Sequence, residues 1–434
     1  MPDDAYDELF AESARRARER AERRRRRRSG WRGLIARLFD GRLHELRHLL
    51  DAPGGRLLAG AVGAIALATL AGLVVLWPGA VDHGAAAPVT PSVTAHVTSV
   101  SDMRCASPTP QQCRALRIRV RGRDVKMSLG PVTSAPAVDA GETIRVAPVT
   151  MPAGERLPAG AEPYTFIDVD RHGALLWMGV LVALAATLLL RRRGLLAVLG
   201  VALSLVVVLE FLVPAILDGR PGLLVALVSA LAVMFITLVL TNGIGVQTLA
   251  AALGITTTLL LSCGLAAAGL AMAHLDGKTD DVALALGVRD ARLSLQGVVL
   301  AGMLIGALGV LADTAVTQAS AVMALRRANP GLRAPTLYRE GFVVGRDHLS
   351  ATIHTLVLAY TGAALPLLLV MRQSRLGITD ALNAQTIAEP IVATVVGCAA
   401  LIAAVPLTTG LAAAFAVRIP AGSLPEGHGH GHAH

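Results

Sequence analysis

The chain is short of aromatic residues: Phe, Trp and Tyr make up 3% of its 434 residues, although 53% are hydrophobic. A large soluble core leans on aromatic side chains, which bury the most area per residue. An apolar mass of Ala, Leu, Val and Gly instead suits helices whose backbones approach closely inside a bilayer. Lysine is nearly missing too, with only Lys126 and Lys278 among 40 basic residues; we read no function into that bias. No Walker-type Gly-rich loop, HExxH pair or GxSxG elbow is present, so the sequence carries no enzyme signature and no cofactor motif.

What dominates is eight long runs almost free of charge: Leu57–Trp77, Ala174–Leu190, Leu195–Leu217, Leu223–Leu240, Thr248–Ala273, Leu295–Ala312, Ser350–Met371 and Ile391–Val417. A hydrocarbon core about 30 Å thick needs roughly 17 to 25 such residues as helix. The expected fold is therefore mainly α, a polytopic bundle of eight membrane helices. Its expected divisions are a basic segment 1–56, a first span 57–77, a β domain 78–173, a seven-helix part 174–417 and a tail 418–434.

Residues 1–56 hold Arg15, Arg16, Arg18, Arg20, the block Arg23–Arg28, Arg32 and Arg37. Next to a first membrane helix, such charge holds that end in the cytoplasm, which outweighs a nucleic-acid reading; no nucleic acid is expected. Leu34, Ile35, Leu38, Phe39, Leu43, Leu46 and Leu50 recur at helical spacing among arginines. That pattern fits an amphipathic helix on anionic inner-leaflet lipids. The segment is too long and basic for a cleaved signal peptide. Arg191–Arg193, and the stretch carrying Arg326, Arg327, Arg333, Arg339 and Arg346, fall on the same predicted inner side. The expected location is a bacterial plasma membrane, with both termini cytoplasmic. In the tail, His428, His430, His432 and His434 alternate with Gly or Ala. Alternating imidazoles can chelate Zn²⁺, Ni²⁺ or Cu²⁺, and a solvated low-complexity tail is the equal alternative.

Residues 78–173 read differently. Alternating patterns at Val93–Val100, Ala115–Val120, Asp124–Leu129, Thr143–Val149 and Tyr164–Val169 are separated by turn chemistry at Gly122, Gly130, Gly141 and Pro152. Five short strands predict a small barrel, OB-like as the leading form. Cys105 and Cys113 share one loop, and on the outer face they are expected to form a disulfide. Cys263 and Cys398 fall in apolar spans and read as packed thiols. With only Tyr164 and Phe166 as platforms, the domain lacks the stacking surface that single-stranded nucleic acid needs. A structural cap or a docking surface for an envelope protein is expected.

Ionisable residues inside membrane segments are costly and mark candidate sites. Asp313, Thr317 and Ser320 are spaced i, i+4, i+7 and share a helical face. Asp347, Ser350, His354 and Thr361 share another, and Glu210 lies one turn before Pro214. Two readings stand for the aspartates: a transport path, or pairing with Arg346 or Arg326 at the inner interface. Glu210 either belongs to such a path or relieves a kinked helix. Helix breaks are expected near Pro214 and at Asn242–Gly245.

The stretches Ala301–Ser320 (AGMLIGALGVLADTAVTQAS) and Gly345–Pro366 (GRDHLSATIHTLVLAYTGAALP) resemble the YibE/F family of bacterial membrane proteins. So does Tyr164–Arg171 (YTFIDVDR), and the likeness covers about 90–417. The resemblance implies a multi-pass membrane protein of a kind often classed as a permease, with no assigned substrate or functional residues. Ala312 stands where the family pattern leads us to expect a second acidic residue before Asp313, which argues against a two-carboxylate site there. The expected function is a permease or secondary transporter of a small solute or ion. Its alternative is a non-transporting sensor, scaffold or envelope assembly factor working through the β domain.

Overall fold

A computed structural model of the chain describes residues 52–79, 92–105, 111–149, 162–278, 294–373 and 377–420. Most of the arginine-rich segment and the histidine tail lie outside these residues. The contacts divide the protein into two units, one holding 82–195 and the other the remainder.

In the first unit, β1 (Val93–Arg104), β2 (Gln112–Val120), β3 (Arg123–Pro131), β4 (Thr143–Pro148) and β5 (Tyr164–Val169) form one antiparallel sheet ordered β3-β2-β1-β4-β5. All five predicted strands are present. Arg121 and Gly122 both take positive φ, which makes the two-residue hairpin between β2 and β3. Register shifts at Val97/Ser99, Arg114/Ala115 and Arg145/Val146 bend the strands, as bulges do. The sheet curls around Ala95, Val97, Leu116, Ile118, Met127, Ile144 and Val146, all buried. It is a half-barrel: the small barrel expected from the sequence does not close, because β3 and β5 are not paired to each other. One side-chain link joins that gap, Ser128 N donating to Glu162 Oε1 at 2.7 Å. Cys105 and Cys113 are disulfide-bonded, as expected. The same unit carries helix α2 (His172–Leu190), none of whose residues is buried.

The second unit contains α1 (Pro53–Val75), α3 (Arg192–Leu217), α4 (Gly222–Asn242), α5 (Val246–Met272), α6 (Leu295–Ala328), α7 (Ala334–Gln373), the short α8 (Ile378–Asn383) and α9 (Gln385–Ala416). With α2, eight helices among the described residues are long and apolar enough to cross a membrane. The expected mainly α, eight-helix architecture with a small β domain is the observed one. The break near Pro214 is a π-helical turn, Val208–Leu212, after which Pro214 restarts α3 without needing an N–H. Gly243 (φ +77°) and Gly245 make the tight link from α4 to α5.

Helices α6 and α7 run past their predicted bounds, to 34 and 40 residues. At about 1.5 Å per residue they are roughly 50 and 60 Å long. Hydropathy fades after Ala312, but the buried stripe Thr314, Ala315, Gln318, Ala319, Val322, Met323 keeps helical period. Leu337, Gly341 and Gly345 do the same at the start of α7. The arginine-bearing connection expected to be long is thus mostly helix, leaving 329–333 as the link. There Asn329 Oδ1 accepts from Gly331 N, and Arg326 binds the carbonyls of Pro330 and Leu332.

Glycine sets how closely α5, α6, α7 and α9 approach. A Cβ at Gly254 on α5 would lie 2.3 Å from Thr408 Oγ1 on α9. One at Gly341 on α7 would meet Val322 at 2.8 Å, and one at Gly345 would lie 2.6 Å from Gln318 Nε2. Gly341 and Gly345 are one helical turn apart, a small-xxx-small seam of the kind that packs membrane helices.

Candidate functional site

Of the predicted polar residues, Asp313 meets a residue the sequence reading did not include, His348 of α7: Oδ2 and Nε2 are 4.0 Å apart. Both are open, with side-chain exposures of 74% and 42%. Asp347 turns to its neighbour Arg346 at 3.9 Å and is 75% exposed. The remaining groups bond along their own helices. Thr317 Oγ1 donates to Asp313 O, Ser320 Oγ to Val316 O, and His354 Nδ1 lies 2.7 Å from Ser350 O. Ser320 also accepts from the Gln247 amide of α5. Glu210 is exposed in the π-helical turn of α3, remote in sequence from these groups. Among the described residues no three His, Cys, Asp or Glu side chains gather as a metal site; the four tail histidines lie outside them.

Behind this open cluster lies a buried polar layer that the sequence reading did not single out. Gln318 is fully buried and its Oε1 accepts from Thr409 Oγ1 at 2.9 Å. Its Nε2 packs against Gly345, and neither it nor Thr314 Oγ1 and Thr408 Oγ1 has a hydrogen-bond partner. At this level α6, α7 and α9 are pressed together.

At the opposite ends of the same helices the packing opens. A cavity of about 460 Å³ lies between α6, α7 and α9, lined by Val298, Gly302, Met303, Tyr360, Ala363, Leu367, Glu389 and Ala393 among others. A second, of about 270 Å³, lies between α7, α8 and α9, lined by Val357, Thr361, Leu368, Leu382, Ile391 and Thr394. Tyr360, Ala364 and Pro390 border both. The tyrosine hydroxyl props α7 against α6 at Gly306, and the small Ala363 and Ala364 leave the space beyond it unfilled. Pro366 inside α7 and Pro390 inside α9 remove helical donors from the carbonyls of Gly362 and Thr386. Sequence reasoning missed this site; the signal that could have found it is these two prolines inside long apolar helices.

The rim of the larger cavity is polar. Gln385 Nε2 donates to Glu389 Oε1 at 3.0 Å and to Asp276 Oδ1 at 3.1 Å. Asp276 also accepts from Lys278 N and pairs with its ammonium at 3.3 Å. The Lys278 backbone N–H, then the Gln385 amide, hold the Asp276 carboxyl below the usual carboxylate range.

Eight helices long and apolar enough to cross a bilayer mark the chain as a membrane protein. The family model of YibE/F-like proteins matches residues 178–418, from within α2 to just beyond α9, so the chain belongs to that family. The half-barrel and the Tyr164–Arg171 stretch precede the matched region. Neither the curated proteins nor the solved structures contain a match to the chain.

Proposed function

We propose that the protein is a permease of the bacterial plasma membrane, moving a small solute or ion without hydrolysing nucleotide. One observation carries the reading. Helix α7 is knit to α6 and α9 at one end by Gly341 and Gly345, and stands off from them at the other across two cavities. A helix held at one end and loosely packed at the other is a hinged element, the kind of part that alternating access requires. The cavities sit beside proline-interrupted helices, where secondary transporters commonly bind their cargo.

In this reading the arginine-rich N-terminal segment and the Arg326–Arg346 hairpin face the cytoplasm, and the half-barrel stands outside, free to meet an envelope partner. Asp313 and His348 lie near the knit end, where α6 and α7 stay together.

The test requires no knowledge of the cargo. In a chain with Cys263 and Cys398 replaced by Ala, an Ala364→Cys thiol borders both cavities. A permease that opens alternately exposes it to a membrane-impermeant maleimide from either side of sealed vesicles. Labelling from one side alone, whatever solutes or pH gradients are applied, favours the scaffold reading.

A further inference from the structure

We infer that the larger cavity binds an amphiphilic cation, its apolar body lodged between α6 and α7 and its charged head at Glu389. This deepens the permease reading, since the cavity is the same one, but it is tested by binding alone.

The walls select the body of the ligand. Val298, Met303, Ala363, Leu367 and Ala393 offer only hydrocarbon and thioether surface, and about 460 Å³ falls within the range that encloses a small organic molecule. Only Tyr360 and Glu389 among the lining side chains are polar.

The rim selects the head. Glu389 is half-buried, and among the described residues its carboxylate has one partner, the Gln385 amide. The nearby ammonium of Lys278 is engaged by Asp276. Among the described residues, two carboxylates therefore face one cation around this mouth. A carboxylate bordering an apolar space is poorly solvated unless a positive charge meets it. An anionic amphiphile is repelled by the rim, and a neutral one leaves Glu389 uncompensated. An ammonium- or phosphonium-headed molecule satisfies walls and rim together. Such chemistry comes either from an amine-headed lipid or from a free hydrophobic cation.

The full chain, purified in dodecyl maltoside, is titrated with tritiated tetraphenylphosphonium. Saturable binding is expected, weakened at least tenfold by Glu389→Gln and restored to within a fewfold by Glu389→Asp. Ala363→Phe, which fills the cavity without touching the charge, should abolish it; each variant is compared at an unchanged gel-filtration profile. Uncharged triphenylmethanol should compete poorly. Displacement by dihexanoyl phosphatidylethanolamine points to a lipid source, and displacement by benzyltriethylammonium alone to a free solute. Absence of saturable binding to the unmodified chain, or undiminished binding to Glu389→Gln, overturns the inference. Binding as expected with Ala364→Cys labelled from one side only would instead retain the ligand and remove the transport.

Discussion

The Tyr360 hydroxyl rests on Gly306 so closely that a Cβ there would lie 2.5 Å from it. The phenol thus works as a strut between α7 and α6, and the glycine is the socket. Gly306→Ala should force the ring or the helix outward and destabilise the protein by about 1–3 kcal/mol, the usual effect of overpacking. Tyr360→Phe in the same chain should recover most of that loss. A double-mutant cycle on thermal unfolding in detergent reads the coupling, and additive effects would show that the two residues do not touch.

At the other end of α7 the joint is polar. Thr409→Val leaves Gln318 Oε1 without its 2.9 Å donor in a fully buried site. An unsatisfied buried acceptor costs about 1–3 kcal/mol, so a clear fall in unfolding temperature is expected. Adding Gln318→Leu removes the stranded amide and should return part of the stability.

Much of this fold was legible in the sequence. Nearly charge-free runs of bilayer length announced all eight membrane-length helices among the described residues, and alternation with Gly turns announced all five strands. The ends of α6 and α7 were not legible by hydropathy, because Asp313, Arg326, Arg339 and Asp347 interrupt the apolar average. The helical period of Gln318, Val322, Leu337 and Gly341 shows them instead. The site was harder. Asp313 meets His348, which was not among the predicted residues, and Asp347, Ser350 and His354 share a face that the bundle leaves open. The cavities are made by what is small, Gly302, Ala363 and Ala364, and small residues mark an empty space only once their neighbours are known.

The Cys105–Cys113 bond closes a short loop between β1 and β2. Removing it with Cys105→Ser and Cys113→Ser should cost the sheet about 2–3 kcal/mol by the chain-entropy estimate. Pulsed proteolysis of the full chain in urea should show the half-barrel cleaved at lower denaturant while the bundle is unaffected. Equal resistance of the two proteins would contradict this.

Acid should loosen the sheet before neutral pH does anything to it. The Arg119 hydrogen bond and charge lower the carboxyl of Asp124, and the Val169 backbone N–H, then Arg171, lower that of Asp168. A carboxyl lowered in the folded state contributes stability that is complete above its unfolded value, about 3.9. That contribution is lost as pH falls through the folded value. Sheet stability should therefore be flat from pH 7 to about 5 in this respect, and the effect small, because both groups are exposed. Asp124→Asn should flatten the acid limb seen in proteolysis; an unchanged limb would assign it elsewhere.

The hinge itself is the central claim, and a pair of distances tests it most directly. Spin labels at Met272 and Arg372 report on the ends of α5 and α7 beside the cavities; labels at Asn242 and Arg339 report on the knit end. Double electron–electron resonance in lipid nanodiscs should give two distance populations for the first pair and one for the second, with tetraphenylphosphonium shifting the balance of the first. A single narrow distribution for both pairs, unmoved by the cation or by pH, would contradict a moving α7.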